Sequence, residues 1–151
     1  MRLILIILSL FGIACVGQKS VSHDNVDSSE QDSKKLQLVL EDKYSGVEQP
    51  EFQVIRDPKA LKNLFLKINR TRKPGLPIPE VDFTEELLLV YCEGTKLDVG
   101  KSELVILKES LENITIGQKE RTLSKKENMN AATTPFYIYK MPLTQKEISF
   151  Q

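Results

Sequence analysis

VDFTEELLLVYCEG, residues 81–94, decides how this chain folds. Its centre, LLLVYC at residues 87–92, is the longest unbroken apolar run outside the N-terminus. A strand with one wet face alternates apolar and polar residues, and this run does not alternate. It reads as a strand covered on both faces, in the middle of a sheet. A buried helix is the competing reading. The run is short, contains Val90 and Tyr91, and stops at Glu93 and Gly94, which favours the strand. Pro74, Pro77 and Pro79 precede it and impose an extended approach.

Upstream, Asp57 is suited to cap a helix and Pro58 to occupy its first position. Leu61, Leu64, Phe65 and Ile68 then recur at i, i+3, i+4 and i+7, a single apolar stripe that must face the sheet. Leu66 lies off this stripe. The helix should fade by Arg70, and Pro74-Gly75 forbids its continuation. Lys67, Arg70, Arg72 and Lys73 form a basic cluster that reads as a solvated helix end complementing the dipole, with phosphate contact as the alternative. Further upstream, residues 52–56 read as one strand. Residues 36–40 read as another, with Leu36, Leu38 and Leu40 on one face. Residues 41–46 read as a turn punctuated by Gly46.

Downstream, residues 94–100 form a connection. The apolar run 104–107 should pair beside the central strand. Glu112-Asn113 marks a turn, and Ile114 and Ile116 alternate with Thr115 as a strand with one wet face. Residues 119–132 are polar and read as a long excursion. Residues 135–142 (PFYIYKMP) read as a last, aromatic-rich strand with a proline at each end. Short connections argue an antiparallel sheet with one helix on a face. The fold class is therefore α+β, as a sandwich or a partial barrel with one amphipathic helix.

The N-terminus reads as an address. MRLILIILSLFGIA, residues 1–14, has one arginine, an apolar stretch from Leu3 to Ile13, and small residues at Gly12 and Ala14. That is the plan of a secretory signal peptide, and its apolar stretch is shorter than the roughly 20 residues of a spanning helix. Cys15 follows, so GIAC resembles the lipoprotein box at which a bacterial cysteine is acylated. Ordinary secretion with a mature start at Cys15 is the other reading. Acylation would hold the chain at a membrane through its buried methylenes. Residues 15–35 then read as a lipidated terminus and polar, serine-rich tether, and residues 36–151 as the globular domain.

Composition excludes several function classes. The 151 residues carry 21 Lys+Arg and 21 Asp+Glu, a balance that does not ask for nucleic acid. The only histidine, His23, lies in the tether, so the domain has no His for a catalytic triad. Cys-x-x-Cys, glycine-rich phosphate loops and metal-ligand spacings are absent from the sequence, so no cofactor and no metal are expected. Glu85 and Glu86 are adjacent and would point to opposite faces of a strand, unsuited to paired acid–base work. Cys92 should be a buried thiol; without acylation of Cys15, a Cys15–Cys92 disulfide is the alternative. Tyr91, Tyr137 and Tyr139 are either core residues or the lining of a groove. The two N-x-T sequons at Asn69 and Asn113 matter only in a glycosylating pathway. The expectation is a non-enzyme.

Three segments carry a resemblance. Pro79-Glu80-Val81-Asp82-Phe83 leads into the apolar strand and Gly94. Gly100 precedes Leu104 and Ile106. Thr133-Thr134-Pro135-Phe136-Tyr137-Ile138-Tyr139-Lys140-Met141-Pro142 gives T-x-P-aromatic-x-I-x-K-x-P. Their order, below a helix, resembles the PrcB C-terminal-domain family of small bacterial envelope lipoproteins, over residues 45–142. Gly100 matches the second glycine of that family's Gly-Gly-aromatic corner, whereas Val99 and Lys101 depart from it. The resemblance implies a lipid-anchored, non-catalytic module that binds or stabilises an envelope protein, in the type case a protease. It implies placement in the bacterial cell envelope, at the outer membrane in preference to the inner. Gly100, Tyr137 and Tyr139 would be partner contacts, and Asp82 would accept turn hydrogen bonds. The alternative function is a small-ligand-binding or protease-inhibitor-like module with a groove walled by Tyr91 or Tyr137.

Overall fold

A computed structural model describes residues 35–97, 101–121 and 131–151. The leader, Cys15, His23 and the tether lie outside these residues, as do Gly100 and most of the polar excursion. The chain runs β1 (Gln37–Asp42), β2 (Glu51–Ile55), α1 (Pro58–Ile68), a 3-10 turn (Asn69–Thr71), β3 (Glu86–Cys92), β4 (Lys101–Glu109), β5 (Asn113–Arg121), β6 (Phe136–Pro142) and β7 (Glu147–Phe150). β3 lies between β6 and β2 in an antiparallel four-stranded sheet of order β1-β6-β3-β2. β4, β5 and β7 form a second, three-stranded sheet. The protein is α+β, with helix, four-stranded sheet and three-stranded sheet stacked as three layers.

The stacking explains why residues 87–92 do not alternate. Leu88, Val90 and Cys92 pack under α1 with Phe136 and Ile138 of β6. Leu87, Leu89 and Tyr91 point the other way and pack under the second sheet with Tyr137, Tyr139 and Met141. The β3 run is thus apolar on both faces, and all six of its residues are buried. α1 forms as its sequence requires. The Asp57 carboxylate accepts the Ala60 amide at 2.8 Å, Pro58 opens the helix, and Leu61, Leu64, Phe65 and Ile68 are buried. Burying each of those side chains contributes at most roughly 1.5–3 kcal/mol. Leu66 stands outside the core, 64% exposed. Asn69 then ties the following loop down: its amide donates to Leu76 O at 2.9 Å and its oxygen accepts Leu76 N–H at 2.8 Å.

Both long sides of the sandwich are clasped. Along one, Lys35 pairs with Glu109 at 2.6 Å and Lys101 with Glu41, so β1 and β4 are bridged near both ends. Along the other, Phe150 of β7 stacks on Phe52 of β2 with ring centroids 5.1 Å apart, and Arg56 donates to Thr144 O at 2.7 Å. Surface ion pairs of this kind stabilise little individually. The aromatic contact carries more, because it also buries area.

The structure corrects four expectations. The run 104–107 does not pair beside β3; it belongs to β4, in the other sheet. Only Leu104 of that run is fully buried, and Leu107 lies across the Cβ-less backbone of Gly117. Residues 135–142 are not the last strand, because β7 follows and lies parallel to β5. The chain changes sheets between β6 and β7, so β7 meets β5 running in the same direction. Leu36, Leu38 and Leu40 do not share a face. A register shift between Leu38 and Leu40 inserts an extra residue opposite β6, which turns Leu40 towards the helix side while Leu36 stays on the other. Lastly, Glu41 and Asp42 extend β1 rather than open a turn.

Candidate functional site

Polar chemistry concentrates where β3 runs out between the two sheets. The period of two that turns Leu87, Leu89 and Tyr91 towards the second sheet continues to Glu93, whose side chain is 0% exposed. Lys96 Nζ lies 2.5 Å from Glu93 Oε2 and supplies the countercharge. The Tyr137 hydroxyl also interacts with this carboxylate. The loop that holds this pair is fixed by backbone. Glu93 N–H donates to Pro135 O at 2.9 Å, Lys96 and Thr133 exchange two hydrogen bonds at 2.8 Å, and Thr95 N–H donates to Glu48 O at 3.0 Å. Gly94 makes that path possible. Its φ is 75°, positive like that of Gly46 at 72°, and a Cβ there would stand 2.8 Å from Glu48 O.

The tyrosines line up behind Glu93. Tyr137 Oη accepts Ser102 N–H at 3.1 Å, and Tyr139 Oη accepts Leu104 N–H at 3.4 Å. Gln118 links Tyr91 Oη, at 2.5 Å, to Ser102 Oγ, at 2.9 Å. Two hydroxyls two residues apart on β6 therefore take two amides two residues apart on β4. Those amides belong to an edge strand, which would otherwise present them to another chain. Burial pushes the Tyr137 hydroxyl up to about 12, and the neighbouring Glu93 carboxylate adds to the shift. Burial also raises Tyr91, again with help from Glu93. A tyrosine in that range stays protonated at neutral pH and serves as a hydrogen-bonding group, not a base.

The residues singled out from the sequence fall as follows. Cys15 and Gly100 lie outside the described residues. Tyr137 and Tyr139, expected as partner contacts, are each 4% exposed. Their rings are core and their hydroxyls are occupied by β4, so neither offers a surface to a partner. Tyr91 is likewise interior. Cys92 is a free, buried thiol that burial pushes up to about 11. Asp82 closes the turn before β3: its carboxylate accepts Thr84 N–H at 2.9 Å and Thr84 Oγ1–H at 2.6 Å, and its carbonyl accepts Glu86 N–H at 2.8 Å. The Thr84 hydroxyl and amide hold this carboxyl below its ordinary value. Glu86 pairs with Lys140 at 2.9 Å. Lys67 pairs with Glu51 at 3.3 Å and Arg72 with Asp42, so half of the basic cluster is engaged.

Sequence reasoning missed Glu93, Lys96, Ser102 and Gln118. For Glu93 the signal was present, since it continues the face of Leu87, Leu89 and Tyr91. Among the described residues, no three His, Cys, Asp or Glu side chains converge as metal ligands, and no helix is long and apolar enough to cross a membrane. No protein-family model matches this chain, and neither a curated protein nor a solved structure does.

Proposed function

We infer that this is a lipid-anchored bacterial envelope protein whose domain is a non-catalytic module for binding another envelope protein. The observation that supports it best is where the reactive side-chain types go. The thiol of Cys92 and the strand tyrosines are spent on the interior and on satisfying β4, and the raised Cys92 thiol is not a nucleophile at neutral pH. The domain resembles a scaffold around which surfaces are presented. The anchor rests on the apolar segment followed by GIAC, and the partner class rests on the resemblance to the PrcB C-terminal-domain family. The small-ligand alternative loses its support, because the tyrosines that would wall its groove are core.

Labelled palmitate should co-migrate with the protein and disappear in Cys15→Ala. An unlabelled wild type recovered in the soluble fraction would remove the anchor. Cross-linking from the intact envelope should recover a stable protein partner. A large thermal shift with a small ligand and no partner would return the module to the ligand-binding class.

A further inference from the structure

The whole chain is charge-balanced, but its charges are not evenly spread. Of its 21 Lys+Arg and 21 Asp+Glu, residues 56–73 hold seven basic residues and one acid, Asp57, leaving fourteen and twenty elsewhere. No acid occurs from residue 58 to residue 79. A helix whose outer face meets only water usually mixes glutamates with lysines at i, i+4, which supports the helix and keeps single-sign fields small. α1 has none of these pairs.

The geometry gathers the unpaired cations on one face. Lys59, Lys62, Leu66 and Arg70 follow i, i+3, i+7 and i+11, opposite the buried stripe, and all four are exposed. Lys73 follows just beyond. The basic residues on the flanks are spoken for, Lys67 by Glu51 and Arg72 by Asp42. Lys59, Lys62, Arg70 and Lys73 have no ion pair with any described residue. At the centre of the four stands Leu66, 64% exposed. An apolar residue ringed by free cations on a helix is the pattern of an interfacial helix: the cations meet headgroup phosphates and the leucine meets the acyl boundary.

We propose that the outward face of α1 rests on an anionic phospholipid surface, so that the domain lies helix-down on the membrane. This rests on the membrane placement inferred above. A tether of about 20 residues, spanning at most ~3.3–3.6 Å each, keeps the face within reach of the bilayer at high effective concentration. Docking leaves the outer face of the β4-β5-β7 sheet turned away from the lipid, towards whatever the module binds.

The chain contains no tryptophan, so Leu66→Trp places a single reporter at the centre of the face. Leu111→Trp, at the 94% exposed tip of the β4–β5 hairpin, is the control. The full chain carrying either reporter is reconstituted on brominated phosphatidylcholine vesicles and on brominated phosphatidylcholine–phosphatidylglycerol vesicles. The Leu66→Trp reporter should be quenched on the anionic vesicles alone, and raised salt should reverse it. The Leu111→Trp reporter should stay bright on both. Each cation near an anionic surface contributes about fivefold, so Lys59→Gln with Lys62→Gln should lower the docked-to-undocked ratio roughly 25-fold. Both sites are exposed, so thermal unfolding should be unchanged.

A chain that floats on both vesicle types with an unquenched Leu66→Trp reporter overturns the docking and leaves the anchor standing. A chain that floats only on anionic vesicles, with the reporter quenched, supports the docking and removes the anchor. A reporter indifferent to anionic lipid but shifted by polyglutamate overturns the proposal in favour of an acidic protein partner.

Discussion

The same strands build the two faces of the four-stranded sheet from different materials. Towards α1, β3 and β6 present Leu88, Val90, Cys92, Phe136 and Ile138, an all-apolar layer sealed by the helix stripe. Towards the second sheet they present Tyr91, Tyr137 and Tyr139 among leucines, and the layer ends in the buried carboxylate of Glu93. The first layer is held chiefly by buried apolar area. The second also contains hydrogen bonds whose loss leaves buried amides unsatisfied, and such groups cost more to strand than they return when paired. The helix-side layer should therefore fail by steric and charge insult. The sheet-side layer should also respond to the loss of single hydroxyls.

The largest effect belongs to the helix side. Leu88→Asp places a carboxylate at a fully buried position with no partner and should cost at least about 4–5 kcal/mol, comparable with the stability of the whole domain. Circular dichroism should show an unfolded chain, and a folded Leu88→Asp protein would mean the core lies elsewhere. Next comes Gly94→Ala, at the loop that holds Glu93. Its Cβ would meet Glu48 O at 2.8 Å and Pro50 at 3.0 Å in a left-handed conformation, so denaturant unfolding should show a loss of about 2–4 kcal/mol.

Tyr137→Phe separates the layers more finely. It leaves the Ser102 amide without its acceptor and should cost about 1–3 kcal/mol, against near-neutrality for a hydroxyl that merely touched solvent. The same variant changes the alkaline limb. Tyr137 is raised to about 12 and Cys92 to about 11 by burial, above ordinary values of 10.0 and 9.0. As pH rises past those ordinary values the unfolded chain gives up these protons and the folded one keeps them. Stability should therefore fall with pH from about 9 until the folded groups ionise, at about 11 for Cys92 and about 12 for Tyr137. Tyr137→Phe and Cys92→Ala should each flatten part of that slope, the first on the sheet side and the second on the helix side. The smallest effect is outside both layers: Glu85→Ala, in the turn before β3, should change the unfolding midpoint by no more than about 0.5 kcal/mol equivalent.

Much of the helix side was legible in the sequence because its signals are local. A cap, a proline and a 3.6-residue stripe lie within a dozen residues, and a non-alternating run announces two covered faces without naming the covers. The sheet side was less legible because its determinants are distant. The run 104–107 is equally apolar beside β3 or above it, and only packing decides which. The hydroxyls of Tyr137 and Tyr139 find backbone amides on β4, groups every residue has, so no residue type marks the pairing. β7 is four residues long and lacks a preceding glycine or Asn-Gly turn, and the shift after Leu38 leaves no trace in composition.

The order of strands in the sheets also bears on when the fold can form. β1, the first strand, takes β6 as its sheet partner, β3 waits for β6 on one of its two edges, and β5 waits for β7 at the end of the chain. Such pairings close long loops before any contact rewards them, and they slow folding relative to a chain of adjacent hairpins. The four-stranded sheet is incomplete until β6, which ends at Pro142, has been made. The described strands therefore cannot close one after another as the chain is made; β1 and one edge of β3 stay open until β6 arrives, and one edge of β5 until β7 does.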